Sequence, residues 1–509
     1  AEEHDLSLLG GFTMQKNNAE YVMGSSSNFV NDVMLYNNLG AGSVYNKPES
    51  NATQWSLMSY LARINYTLKH KYLFSVNARV DGSSRFGTNN KYGFFPSASA
   101  GWRISEEAFM EPVKEVISNL KLRASYGFTG NTEIGVYESL ATLGTSNWIL
   151  GNQLVSGFFP NKIPNPDLKW ERTGQFDIGL DLGLFNNRLR ITTDYYKKKT
   201  TDLLYSVAVP ATSGYQTMLK NIGSIENQGY ELSIESDNLT GAFSWTTAFN
   251  IAFNRNKVLE LGGEEYKEMA EGDGHLKTGS VRRLIVGEPI GVFYGYRFDG
   301  IFQNEEECKQ QTSSASPIGV GLRRYKDLNG DGKVDAANDR EILGDANPKF
   351  FGGLTNTFAY KGFELNVFLQ YSYGNKILNY NAMELENPTG GQNAYADMVN
   401  RWTPENPSNI YPKATTNRAL LVSDRFIEDG SYLKLKTLSL SYSFPKINLK
   451  HIQGLRLYVT GQNLLTWTKY RGYDPEVSYR GASTLEAGED FGGYPQSRTF
   501  MFGIKLDIK

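Results

Sequence analysis

Alternation of apolar and polar residues over long stretches is what most narrows the fold of this chain. In FELNVFLQYSYGNK, residues 363–376, Phe363, Leu365, Val367, Leu369, Tyr371 and Tyr373 share one face, while Glu364, Asn366, Gln370 and Ser372 lie on the other. A period of two is a β-strand with two unlike faces. GQFDIGLDLGLF, LKLRASYGF, RLRITTDYY, SWTTAFNIAF and TFMFGIKLDIK repeat the pattern. About fourteen such strands are expected, near residues 6–18, 56–69, 72–86, 93–104, 119–130, 172–185, 188–200, 224–237, 243–256, 349–360, 363–376, 431–445, 454–467 and 497–509. Most are more than twice the ~5–6 residues usual in globular proteins and exceed the ~9–11 that a tilted strand needs to cross a bilayer.

The connections give an independent test. Reading back from the end, short joints (PKINLKHIQG, YKG, DNLTGA, NN, KHK) alternate with long ones, and the exceptions are a helix-like SEEAFMEPVKEVIS and a tight DGSSRFGTNNKYG bend. The long loops span 19–55, 131–171, 201–223, 257–348, 377–430 and 468–496. Short turns on one side and long loops on the other are the signature of an outer-membrane barrel with the long loops extracellular. The expected fold class is therefore all-β, a transmembrane antiparallel β-barrel. Tyr, Leu, Phe, Ile and Val face lipid, and Arg63, Asn65, Asn77, Arg79, Lys121, Arg123, Asp177, Asp181, Glu364, Asn366 and Gln370 face the lumen. Closure is a physical necessity in hydrocarbon, where an unpaired backbone group costs several kcal/mol.

Composition agrees. Aromatics form 13% of the chain, with 31 Tyr and 28 Phe, and 51 Gly supply turns. Near balance between 52 Lys plus Arg and 54 Asp plus Glu argues against a nucleic-acid partner. A single cysteine, Cys308, excludes an intrachain disulfide, and His4, His70, His275 and His451 lack metal-ligand spacing. The first residues, AEEHDLSLLG, are not a signal peptide, so any export signal is expected to be removed or upstream.

One strand breaks its own rhythm. In GSYLKLKTLSLSYSFP, residues 430–445, Leu433 and Leu435 take odd positions, whereas Leu438, Leu440, Tyr442 and Phe444 take even ones. A β-bulge near Thr437, or emergence from the bilayer, accounts for the slip, and Lys434 and Lys436 are then expected to reach water or headgroups.

Two motifs suggest ligands. DLNGDGKVDAANDREILGD, residues 327–345, places Asp327, Asn329 and Asp331 before Gly332 as in the first half of an EF-hand calcium loop. Lys333 would offer its carbonyl, and Asp335 and Asp339 would complete the set; an ion here serves rigidity, and no cofactor is otherwise required. Trp148, Tyr137, Trp55 and Tyr45, read as loop aromatics, are candidates for stacking on sugar rings; packing in loop cores or in a protein interface is the competing reading. Trp467, at a strand end, reads as an interface-belt residue. GxSxG, P-loop and HExxH motifs are absent, and no enzymatic role is expected.

DLNGDGKVDAANDREILGDANPKFFGGLTNTFAYKGFELNVFLQYSYGNKI, DGSSRFG with FFPSASAGWRISEEAF, LKLRASYGFTGN, NPDLKWERTGQFDIGLD, RWTPENP, FIEDGSYLKLKTLSLSYSFP and GQNLLTWTKYRGYDPE together resemble the SusC/RagA family of TonB-dependent outer-membrane transporters of Bacteroidetes. The likeness covers almost the whole chain but only the C-terminal portion of that family. The calcium-like loop is one residue longer than the common family form, and Lys509 stands where a terminal aromatic is common. The resemblance implies a 22-stranded barrel with a plug in its lumen, of which roughly eight strands, the plug and the TonB box would precede residue 1. It also implies import of an oligosaccharide or peptide, a SusD-like lipoprotein lid and energy from TonB. The alternatives are a self-contained fourteen-strand channel and a surface glycan-binding protein.

Overall fold

The computed structural model describes residues 3–508 apart from 270, 271, 273, 274, 277, 388–392, 416–419, 445–451 and 482. Fourteen strands form one sheet in unbroken chain order. They are β1 (His4–Met23), β2 (Glu49–Leu68), β3 (Tyr72–Ser83), β4 (Tyr92–Arg103), β5 (Ile117–Asn131), β6 (Glu171–Leu184) and β7 (Leu189–Thr201). The series continues with β8 (Ser224–Thr240), β9 (Phe243–Glu260), β10 (Phe350–Tyr360), β11 (Phe363–Tyr373), β12 (Tyr432–Ser443), β13 (Ile452–Thr468) and β14 (Thr499–Ile508). β1 and β14 are its two ends.

Alternation sets the faces as expected. Leu6, Leu8, Phe12 and Met14 on β1, and Phe500, Phe502, Ile504, Leu506 and Ile508 on β14, are exposed. Such a face is a liability in water and a fit for hydrocarbon. The opposite face pairs its polar groups across strands: Ser75 donates to Asn65 at 2.7 Å, and Arg456 Nη2 donates to Glu364 at 2.6 Å. Short turns need left-handed backbone. Lys69 and His70 (φ 53° and 54°) and Lys361 and Gly362 (φ 47° and 89°) supply it in pairs, as two-residue hairpin turns do. The helix-like joint after β4 consists of 3-10 turns, Ile104–Glu106 and Ala108–Val113. The turn expected at 445–454 falls almost entirely outside the described residues.

The phase slip in β12 is a bulge. Leu435 pairs with Leu369 of β11 and Thr437 pairs with the adjacent Phe368, so Lys436 is extra. On the other side Leu435 meets Leu465 and Thr437 meets Gln462, leaving Asn463 (φ 52°) and Leu464 opposite Lys436. The apolar column survives the slip: Leu433, Leu435, Leu438, Leu440 and Tyr442 pair with Tyr371, Leu369, Val367, Leu365 and Phe363 in turn. If Lys436 took a place in the regular pleat instead of bulging, one half of the strand would turn its leucines to the wrong face.

The chain divides into two compact units. The first comprises 1–101, 124–176 and 199–224; its core is Phe86, Phe95, Leu168 and Trp170. Two hairpins project from its connections, Thr142–Leu150 with Gln153–Lys162, and Leu204–Ala208 with Thr217–Asn221. The second unit comprises 102–123, 177–198 and 225–509. Its long connections form a core of their own around Phe293, Leu378, Tyr380, Met383 and Phe426. A three-stranded sheet joins Lys376–Asn379 to Ile427–Asp429 and Glu489–Asp490. The buried Arg282 pairs with Glu489 at 2.8 Å. Strands of two to four residues carry no readable period, which is why these segments read as plain loops.

Candidate functional site

The first unit holds a cavity of about 550 Å³ on the polar face of β2 to β5. Odd-numbered residues of β2 and β3 bring Arg63, Asn77, Arg79 and Asp81 to its wall, and β4 brings Phe95 and Ser97. Arg79 Nε donates to both carboxylate oxygens of Asp81, at 2.7 and 2.8 Å, and its Nη2 to Ser59 at 3.1 Å. Arg63 Nε donates to Asn77 Oδ1 at 2.5 Å, and Asn77 passes a hydrogen bond on to Ser97 at 3.3 Å. These mutual bonds fix the polar wall in advance of any ligand.

An aromatic floor completes the cavity. Trp170 lies 4.8 Å from Phe86 and, edge-on, 5.3 Å from Phe95, and its indole N–H is satisfied by the Lys91 carbonyl at 3.1 Å. Arg172 stacks on Phe128 at 3.7 Å. A concave site with apolar rings and a few fixed polar groups is the usual form of a ligand pocket. Guanidinium and amide donors beside aromatic faces suit sugar hydroxyls and rings as well as peptide carbonyls and carboxylates. A second cleft, of about 420 Å³, lies between the two hairpins and is lined by Glu138, Phe159, Lys162, Tyr215, Gln216 and Thr217; Lys162 pairs with Glu138.

The four aromatics do not form one group. Trp148, on the first hairpin opposite Val155, is 61% exposed. Tyr45, in a small strand pair opposite Ser26, is exposed too, and its hydroxyl donates to the Gly40 carbonyl at 3.3 Å. Trp55 is not in a loop: β1 runs to Met23 and β2 begins at Glu49, so the loop expected over 19–55 shrinks and Trp55 becomes a strand residue opposite Asn17. Arg85 covers its ring at 4.6 Å and is held by the carbonyls of Thr132 and Ile134. Tyr137 joins this neighbourhood, its hydroxyl accepting from Gln54 N–H at 2.9 Å. The cavity residues Phe95, Phe128 and Trp170 went unread, although Trp170 sits in the conspicuous NPDLKWERTG.

The loop at 327–339 is closed by its own carboxylates. Asp327 accepts from Gly330 and Gly332 N–H at 2.7 Å each, and Asp331 accepts from Lys333 N–H at 2.8 Å. Asn329 Nδ2 donates to Asp331, and the Lys333 ammonium pairs with Asp335 at 3.2 Å. Backbone N–H groups and Lys333 hold the Asp335 carboxyl below the usual range. Asp339, fully buried, accepts from Leu328 and Asp335 N–H and clasps the loop from inside. Among the described residues no three His, Cys, Asp or Glu side chains converge as a metal centre. The oxygen-rich donors Asp327, Asn329, Asp331, Asp335 and the Lys333 carbonyl fit a hard cation by chemistry.

Lys434 and Lys436 are drawn inward rather than outward. Lys434, 1% exposed, reaches Asp474 at 2.6 Å and Glu476 at 2.5 Å; Lys436 reaches Glu476 at 3.0 Å. Tyr432 and Gln370 also donate to Glu476, each at 3.1 Å. Burial raises the Glu476 pKa, but the hydrogen bonds and charges of the two lysines outweigh it and hold the carboxyl below the usual range. The bulge explains the geometry, because the extra residue lets both ammonium groups face the 469–498 connection while their leucine neighbours face out.

The TonB dependent receptor-like, beta-barrel family matches residues 3–464. Over 510 residues the chain is 41% identical to TonB-dependent receptor P3 of Formosa agariphila, covering 99% of this chain and 50% of that protein. It is 32% identical over 476 residues to TonB-dependent receptor SusC of Bacteroides thetaiotaomicron, covering 90% and 44%. The solved RagAB peptide transporter is similar at a TM-score of 0.82 and 27% identity, over 99% of this chain and 53% of that one. The chain thus spans about half the length of the curated relatives it matches.

Proposed function

Because the chain belongs to the TonB-dependent receptor β-barrel family, on its SusC/RagA side, and is an outer-membrane protein, we propose that it forms the barrel portion of an active importer of oligosaccharides or peptides. The observation that carries the reading is the two-faced sheet: an apolar side fit for lipid and a polar side with a cationic, aromatic-floored cavity. Ligand would meet the loop aromatics Trp148 and Tyr45 first and then the wall of Arg63, Arg79 and Trp170. A SusD-like lipoprotein would cover the long-loop side, and TonB would act through a region outside this chain. The barrel breaks no bond. A calcium ion at the 327–339 loop would stiffen it and take no part in transport.

Purification of the intact protein in detergent from native membranes tests this. The expected result is a co-purified lipoprotein and a bound oligosaccharide or peptide identified by mass spectrometry. Isolation of the protein alone, with a steady ion conductance in planar bilayers, would favour the self-contained channel instead. Extraction in buffer without detergent would favour a surface glycan-binding protein.

A further inference from the structure

In the second unit three guanidinium groups meet two carboxylates, and the count leaves one positive charge over. Glu386, fully buried, takes Arg425 at 2.7 Å and Arg471 at 3.0 Å. Arg471 gives its other arm to Glu428 at 2.7 Å. Arg323, only 9% exposed, stands beside them with no carboxylate in ion-pair reach among the described residues. Its Nη2 donates to the Glu386 main-chain oxygen at 3.2 Å, Phe426 lies 5.6 Å from its guanidinium, and its Nε has no hydrogen-bond partner.

Sequence narrows the remaining sources of counter-charge. The neighbouring segments outside the described residues, 388–392 and 416–419, contain no Asp or Glu, and the second adds Arg418. Burial pushes the Arg323 pKa down and the Glu386 carboxylate acts against this, yet a guanidinium keeps its proton in a protein. A buried, unpaired cation is strongly unfavourable. Arg323 also lines a cavity of about 40 Å³, whose other polar residues are Ser316, Tyr325, Asn387 and Thr415. At ~10–15 Å³ per water-sized occupant, that is room for a group of roughly three heavy atoms.

We propose that this cavity is a binding site for a small anionic group, a halide ion or a carboxylate, that neutralises Arg323. Nothing in the importer reading requires it, so the two stand or fall separately. Crystals of the intact protein soaked in sodium bromide supply the test. An anomalous peak within hydrogen-bond distance of the Arg323 guanidinium is expected, as is its loss in Arg323→Met. A wild-type map empty at that position overturns the proposal whether or not the variant folds. Competition then names the source. Bromide displaced equally by acetate and by an acidic dipeptide marks a free-ion site, whereas at least tenfold more potent displacement by the dipeptide marks a pocket for the carboxylate of a larger ligand or partner.

Discussion

A lysine on a membrane-crossing strand must have its charge met from within, and Lys434 has it met twice, by Asp474 and Glu476. Replacing it with Met leaves the buried Asp474 without a cation and Glu476 with Lys436 alone, and we expect a loss of about 3 kcal/mol, read as a lower unfolding midpoint in detergent. Glu476 makes the same cluster sensitive to acid. Its folded pKa lies below the ordinary 4.5, so its contribution is complete above that value and is lost as pH falls through the lowered one. Protection factors across 469–498, taken against the intrinsic exchange rate at each pH, should therefore fall from pH 4.5 downward and stay flat above it. Arg63 is a different case, exposed and bonded to an amide. Arg63→Ala should leave the barrel intact and weaken ligand binding about tenfold, the worth of one charge-assisted hydrogen bond, as titration calorimetry with the co-purified ligand would measure. The same method with Ca²⁺ should register binding that Asp331→Ala weakens; no heat from the wild type would remove calcium from the loop. At this scale the sequence was only partly legible. The luminal polar residues follow from alternation alone, but the inward pull on Lys434 depends on a partner forty residues away, which no local pattern encodes.

Among elements, β12 was the most readable, because a phase slip in a two-faced strand leaves few explanations and the register contains the bulge. Deletion makes a sharp comparison. Without Lys436 the run becomes LKLTLSLSYSF, which alternates throughout and keeps every leucine on one face, so this variant should assemble. Deleting Leu440 with the Lys436 bulge retained instead turns Lys434 and Lys436 to the outer face and away from Asp474 and Glu476, which breaks a buried ion-pair cluster at a cost of about 3–5 kcal/mol. We expect that variant to fail to give a heat-modifiable band on unheated gels, while the Lys436 deletion retains it. Boundaries were less legible than strands: β1 and β2 pair without a break from His4 with Leu68 to Met23 with Glu49, which is how Trp55 left its loop. Outside the bilayer nothing enforces apolar alternation, so a strand that continues beyond it looks like a loop.

Taken as a whole, the sheet has two ends, and in hydrocarbon the free N–H and C=O groups along β1 and β14 each need a partner. The 509 residues expressed alone should therefore fail to give a stable, protease-resistant barrel, whereas the intact protein should give one. A stable pore from the isolated chain would support the fourteen-strand channel. The long connections are legible by their length but not as a packed body, since their core is assembled from residues as far apart as Phe293, Tyr380 and Phe426. That shared core has a consequence for anyone who would exchange specificity between relatives. The segments 261–349, 374–431 and 469–498 behave as one inheritable part: a chimera that swaps the first or the third alone inherits half of the Arg282–Glu489 pair, one that swaps the second alone meets a mismatched interior, and only the three moved together carry a foreign surface onto this barrel.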